Sequence, residues 1–167
     1  MAQQLQLELP QLRSFCTLSP IPGFAAWLLA DPLFSALPPL GKKSPVDLLA
    51  ARELLVQRCG GELDALQGPS VHETLGPDGQ AALRKLGAAY LVSCSATPQG
   101  DPVARFHLDN GARLERLNAN ANLAPKGLRQ SFGMMVNYLY DLDLIEANHA
   151  RFRQGEVARS RAIGKLI

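Results

Sequence analysis

No run in the chain approaches the ~18 consecutive apolar residues that a membrane-spanning helix requires. Cysteine is scarce and scattered. Cys16, Cys59 and Cys94 are odd in number, with no CxxC pair and no Cys/His cluster, so the pattern supports neither a structural zinc site nor a disulfide framework. Reduced thiols in a cytosol fit best. The sequence has no HExxH, no G-x-S-x-G elbow and no phosphate-cradling glycine loop, which argues against zinc proteases, α/β-hydrolases and P-loop enzymes. It also lacks an internal repeat. The opening Met1–Pro10 has neither the basic nor the apolar region of a secretory leader, and a cytoplasmic protein is expected. What remains is ordinary globular composition: 167 residues, 47% hydrophobic and 19% charged. That suffices for one domain with a sizeable core, or for a fragment of something larger.

The net charge of +2 is unevenly placed. Arg151, Arg153, Arg159, Arg161 and Lys165 face the single acid Glu156 in the last segment. A solvated or frayed basic terminus and a contact with a phosphorylated ligand are the two readings. Nucleic acid is not expected, because the segment has one aromatic and no recognisable module around it.

Proline and glycine divide the chain into short blocks. Leu5–Leu12 reads as the end of an amphipathic helix running into Pro10. Phe15–Leu18 reads as a strand that stops at Ser19-Pro20-Ile21-Pro22-Gly23, since neither proline can donate to a ladder. Phe24–Ala30 resumes as a helix with Trp27 and Leu28 in the core. Ser44, Pro45 and Asp47 mark the next helix start, and Gly60-Gly61 its end. Leu83, Leu86, Gly87, Tyr90, Leu91 and Cys94 keep i, i+3, i+4 spacing and predict a packed helix.

Asn110-Gly111 between Val103–Leu108 and Ala112–Leu117 predicts a β-hairpin. In that hairpin Ala104, Phe106 and Leu108 form the core side. His107 takes the more polar face opposite Leu114, and Arg105 faces Arg116. Lys126–Leu142 reads as a helix with Leu128, Phe132, Met135 and Leu139 on one stripe, and Ile145–Phe152 as a further short helix.

Among residues able to do chemistry, Ser19 closes a strand, is followed by two backbone-restricting prolines and precedes a helix N-terminus. Such a position is rigid, and the helix start favours an anionic ligand. Alone it is also an ordinary turn serine. His107 can act as an acid near neutral pH, or be a hydrogen-bonded structural residue. His72 and His149 lie in polar stretches and are expected to face solvent. Tyr138 and Tyr140 read as helix packing rather than proton donors. The residues by themselves support a soluble α/β or α+β domain with a Ser/His site.

Three blocks extend this reading. Thr17-Leu18-Ser19-Pro20-Ile21-Pro22-Gly23-Phe24, followed by Trp27-Leu28, resembles a hallmark segment of the malonyl-CoA decarboxylase family. Phe106-His107-Leu108-Asp109-Asn110-Gly111-Ala112 is similar to its second. Gly127, Ser131, Gly133-Met134-Met135 and Asn137-Tyr138-Leu139-Tyr140 are similar to its third. The blocks stand in family order, and the resemblance runs from about Leu5 to the C-terminus. It implies an α+β (mixed α/β) fold: the C-terminal half of a mixed sheet like that of GNAT acetyltransferases, with surrounding helices and a hairpin near 103–117. Residues 1–167 would then be the C-terminal portion of the catalytic domain. The family's helical domain, the first half of its sheet and its loop for the CoA pyrophosphate would all lie upstream, which leaves the cofactor-binding residues unknown.

The resemblance also implies the activity, decarboxylation of malonyl-CoA to acetyl-CoA and CO2. Ser19 matches the family's active-site serine, His107 its histidine, and Tyr140 a tyrosine near that pair. No metal and no cofactor are expected, CoA being part of the substrate. Malonyl-CoA is the expected partner, with no nucleic acid, no membrane and a homo-oligomeric assembly. Alternatives are a truncated, non-catalytic remnant or assembly module, and thirdly an acyl-CoA acyltransferase. The chain departs from the family where Asn118-Ala119-Asn120-Ala121-Asn122-Leu123-Ala124 stands. Ala119 replaces a tryptophan, Asn122 an acid and Ala124 a hydroxyl residue, which touches local packing and site orientation. The ending Gly164-Lys165-Leu166-Ile167 lacks the Ser-Lys-Leu address of the animal enzymes, and the wording of the motifs is bacterial.

Overall fold

Strand β1, Ser14–Pro20, starts the ordered core of the computed structural model, which describes residues 4, 7–38, 40 and 45–167. Helices α1 (Phe24–Leu29), α2 (Pro45–Arg58), α3 (Pro69–Thr74), α4 (Gly76–Cys94) and α5 (Pro102–Asp109) follow. Strand β2 (Arg113–Asn118), helix α6 (Pro125–Ser131), strand β3 (Met135–Asp141), helix α7 (Ile145–Arg153) and the short α8 (Arg161–Gly164) complete the order. The α+β class is as expected. The three strands form one sheet in the order β1-β3-β2, and both pairings are antiparallel. The sole parallel pairing among the described residues is an isolated bridge from Leu114 to Arg159.

Alternation along β3 sends Val136, Tyr138 and Tyr140 to a buried face, where Leu114 and Leu117 of β2 join them. Against that face lie Ile21, Phe24 and Leu28 of the α1 region and Leu83, Leu86 and Leu91 of α4, in one continuous core. The opposite face is open: Leu18 is 54% exposed and Cys16 is exposed. Because β3 is central, its side chains are fixed by ladders on both sides, and the site described below is built on it.

Several expectations hold. Helices α1, α2, α4 and α7 lie where the spacing places them, and the Leu83–Leu91 stripe of α4 is buried. Strand β1 runs two residues further than expected, through Ser19 and Pro20. Pro20 is tolerated because β1 is an edge strand and Pro20 ends it. The Ser44 cap lies outside the described residues, as do Leu5 and Gln6 of the Leu5–Leu12 helix.

Two expected elements are different. The hairpin near 103–117 does not form: Val103–Leu108 belongs to helix α5. Asp101 caps that helix, accepting from the Val103 and Ala104 N–H groups at 3.0 and 3.1 Å, and Pro102 takes the first position. Asn110-Gly111 is the helix's C-terminal exit. Gly111 has φ +85°, its N–H reaches Leu108 O at 3.1 Å, and Ala112 N–H reaches His107 O at 3.1 Å. A side chain at Gly111 would collide with the Ile145 backbone oxygen. Ala104 and Leu108 are buried as expected, but through helical spacing, and Phe106, placed on the core side by the hairpin reading, is 57% exposed. His107 accordingly does not face Leu114 across a ladder.

The expected helix Lys126–Leu142 is likewise split. Helix α6 ends at Ser131, where Phe132 and Gly133 adopt φ +53° and +79° and reverse the chain into β3. The pattern that governs residues 136–140 is the period-2 alternation of Val136, Tyr138 and Tyr140.

Candidate active site

In β1 the pleat places Phe15, Thr17 and Ser19 on one face. In the antiparallel register they stand opposite Tyr140, Tyr138 and Val136 of β3. Helix α5 crosses this face and delivers His107 from the stripe that also carries Ala104 and Leu108. The three residues singled out in the sequence meet here. Ser19 Oγ lies 3.2 Å from His107 Nε2, and His107 Nδ1 lies 2.7 Å from the Tyr140 hydroxyl. Thr17 Oγ1, 3.2 Å from Ser19 Oγ, extends the chain of polar atoms to hydroxyl–hydroxyl–imidazole–phenol.

Aromatic rings enclose this chain. Tyr138 stacks on the His107 ring with centroids 4.4 Å apart and planes 17° apart. Phe106 meets the imidazole edge-on at 5.3 Å, and Phe15 stacks on Tyr140 at 4.6 Å. Tyr140 is therefore strand-borne and hydrogen-bonded to the imidazole, not helix packing. Burial lowers the His107 pKa below its ordinary value, so the ring is neutral at pH 7. Burial pushes the Tyr140 phenol up to about 12, so it keeps its proton and can donate to Nδ1. That leaves Nε2 to carry the imidazole proton toward Ser19.

A fourth residue, missed in the sequence reading, ties the site together. Asp101 is buried and accepts the Gly23 N–H at 2.8 Å with Oδ2 while Oδ1 caps α5. One carboxylate thus joins the turn after Ser19 to the helix that carries His107. Burial pushes its carboxyl up, opposed by the three backbone N–H groups. A Cβ at Gly23 would collide with the Tyr90 hydroxyl, so a side chain there has to displace that buried ring. The signal that could have revealed Asp101 is the Asp-Pro pair, a helix-start signature.

At the helix start after Ser19 the protein's own carboxylate, Asp101, already takes one of the backbone N–H groups, that of Gly23. Phe24 N–H bonds Ile21 O at 3.3 Å. His72 is buried rather than solvent-facing, with Nε2 2.8 Å from Leu66 O, whereas His149 is exposed and contacts Asp109. The basic terminus is not frayed. Its backbone docks on β2 through Leu114 N–H to Ala158 O at 2.9 Å and Ser160 N–H to Leu114 O at 2.8 Å. Val157, Ile163 and Ile167 are buried there. Arg151 pairs with Glu156.

In the departing stretch, Asn118 donates to Asn137 Oδ1 at 2.8 Å, and Asn137 donates to Thr17 O at 3.0 Å. The outer face of the sheet is thereby laced across all three strands. Asn122 N–H bonds Gly133 O at 3.0 Å, and its side chain accepts Ala124 N–H at 3.2 Å. The stretch therefore packs on the Phe132-Gly133 reversal. Among the described residues no cluster of three His, Cys, Asp or Glu is placed to hold a metal ion, and no helix is long and apolar enough to cross a membrane.

Comparison with known proteins agrees with the blocks. The family profile "Malonyl-CoA decarboxylase C-terminal domain" matches residues 1–167. The mitochondrial malonyl-CoA decarboxylase of Mus musculus is 38% identical over 157 residues, covering 84% of this chain and 30% of that protein. The corresponding protein of Anser anser anser is 32% identical over 166 residues, covering 90% and 31%. The crystal structure of malonyl-CoA decarboxylase from Cupriavidus metallidurans superposes with a TM-score of 0.74 at 40% identity, covering 99% of this chain and 41% of that one. That from Rhodopseudomonas palustris gives 0.71 at 40% identity, covering 99% and 36%. The chain thus spans less than half the length of each of these relatives.

Proposed function

The chain belongs to the malonyl-CoA decarboxylase family, and from that premise we propose that Ser19, His107 and Tyr140 carry out the decarboxylation of malonyl-CoA to acetyl-CoA and CO2. The observation that supports this reading is the continuous contact from Ser19 Oγ through the imidazole to the Tyr140 hydroxyl. Each residue type suits a step. The C–C bond to the carboxylate breaks, CO2 leaves, and the electron pair passes into the thioester carbonyl as an enolate. Because the thioester is itself the electron sink, no cofactor is needed for that step. Ser19 orients the carboxylate by donating its hydroxyl hydrogen. The substrate's negative charge raises the His107 pKa in the loaded site, so that the ring takes a proton from solvent and delivers it from Nε2 to the enolate carbon, forming the methyl group of acetyl-CoA. Tyr140 holds Nδ1, and solvent returns the proton to the ring.

A second reading concerns the length that the relatives have beyond the part matched here. In it this chain is a non-catalytic remnant, or a module that works only when assembled with a polypeptide supplying the remaining length. Incubating the purified chain with malonyl-CoA, beside a full-length relative as control, separates the two. Stoichiometric acetyl-CoA and CO2 support the first reading. No turnover and no CoA binding, with an active control, favour the second. Sedimentation velocity on the same sample reads the homo-oligomer that we propose accompanies activity.

A further inference from the structure

Two hydrogen bonds hold the His107 imidazole at its two nitrogens, to Ser19 at 3.2 Å and to Tyr140 at 2.7 Å. They fix the ring along the line joining Nδ1 and Nε2 but leave it free to rock about that line, and the contact to Ser19 is at the long end of hydrogen-bond range. The terminal torsion of histidine is broad, so the side chain's own preferences do not stop the rocking. A flat surface against the ring face would. Tyr138 supplies it: the rings lie 4.4 Å apart at 17°, close to parallel.

Tyr138 is well suited to hold still. It has no exposed surface and sits mid-strand in the central β3, opposite Thr17 of β1 and Leu114 of β2. Its hydroxyl does nothing comparable. Among the described residues the Tyr138 oxygen is a buried polar atom without a hydrogen-bond partner. A buried hydroxyl in that state opposes folding, so the hydroxyl does not account for what the residue does at the site.

We propose that Tyr138 is the positioning residue for His107, its ring face holding the imidazole plane in line with Ser19 and Tyr140, with its hydroxyl dispensable. Its importance for turnover rests on the proposed role of His107; its effect on ring orientation does not.

The test uses the full chain, isotopically labelled and free of substrate, with wild type, Tyr138→Phe and Tyr138→Leu compared. Long-range proton–nitrogen correlation at neutral pH reads the His107 tautomer, and a Ser19→Ala partner for each protein reads whether Nε2 feels the serine. In wild type and Tyr138→Phe one tautomer dominates, and Ser19→Ala shifts the Nε2 resonance. In Tyr138→Leu the tautomers mix and the response to Ser19→Ala is lost. Turnover of malonyl-CoA adds a second readout. Tyr138→Phe stays within about twofold of wild type, whereas Tyr138→Leu loses up to about 100-fold in kcat with KM little changed, as displacement of a reacting group does. Should Tyr138→Leu fail to fold, Tyr138→Met fills the space without a ring face and takes its place. A folded Leu or Met variant with the wild-type tautomer and Ser19 response overturns the proposal. A Phe variant as disturbed as Leu overturns it too, since the hydroxyl would then be the working group. An inactive wild type with the expected resonances removes the proposed function while the positioning role stands.

Discussion

Replacing Asp101 separates the two jobs that one carboxylate performs. Oδ1 accepts from Val103 N–H and Ala104 N–H, and Oδ2 accepts from Gly23 N–H. Asp101→Ser keeps one oxygen for the helix cap and strands the Gly23 N–H, while Asp101→Ala removes both. A buried donor left without a partner costs about 1–3 kcal/mol, and loss of an N-cap about 1 kcal/mol. Burial disfavours the charge at Asp101 and so trims what the carboxylate contributes at pH 7. Asp101→Ser is therefore expected to lose about 2 kcal/mol and Asp101→Ala about 3 kcal/mol. In a chain of this size each kcal/mol moves the midpoint by roughly 2–4 °C, giving Tm drops of roughly 6 and 9 °C by circular dichroism. Urea midpoints should fall in the same order. If Asp101→Ser melts with wild type, the link between the serine turn and the histidine helix carries no weight. If Asp101→Ala is no less stable than Asp101→Ser, the cap is idle.

Tyr140→Phe keeps the stack with Phe15 but removes the hydroxyl that accepts from Nδ1–H of the protonated ring, and kcat should fall about tenfold, the worth of one such bond; an unchanged kcat would show the bond to be idle. Gly111→Ala forces a side chain into φ +85° and against the Ile145 carbonyl, and thermal melting should show a loss of at least about 2 kcal/mol. The pH profile follows from the lowered pKa of His107. With the imidazolium as proton donor, kcat/KM, which reports the free enzyme, falls as pH rises through a value below that of an ordinary histidine. In the complex the substrate's negative charge raises that pKa, so the corresponding fall in kcat should appear at higher pH. Coincident limbs would contradict this assignment.

The elements legible in the sequence were those marked by one unambiguous signal. Proline at the start and a double glycine at the end bracket α2, and i, i+3, i+4 spacing marks α4. Asn110-Gly111 is ambiguous in physical terms. A glycine at positive φ serves a two-residue hairpin and a helix C-terminus equally, and the deciding information sits nine residues earlier, in the Asp101 cap. Residues 126–142 failed for a different reason. Leu128, Phe132, Met135 and Leu139 fit a helical stripe by coincidence, while the reversal at Phe132-Gly133 depends on backbone conformations that hydrophobic spacing does not encode. Ser19 and His107 stand out by their own setting and Tyr140 through the family blocks, and their convergence survives the change of His107 from strand to helix. The roles of Tyr138 and Asp101 stayed hidden because one works through a ring face and the other through backbone amides, which neither the family block around Tyr138 nor the Asp101-Pro102 pair spells out.

The most direct test of the central claim is the single-turnover rate of malonyl-CoA decarboxylation by wild type and by His107→Ala, with the folded state of both verified by circular dichroism. Wild type is expected to release acetyl-CoA and CO2 in equal amounts, and His107→Ala to be slower by about 100-fold or more, the contribution of a positioned proton donor. A folded His107→Ala protein that turns over near the wild-type rate would contradict it.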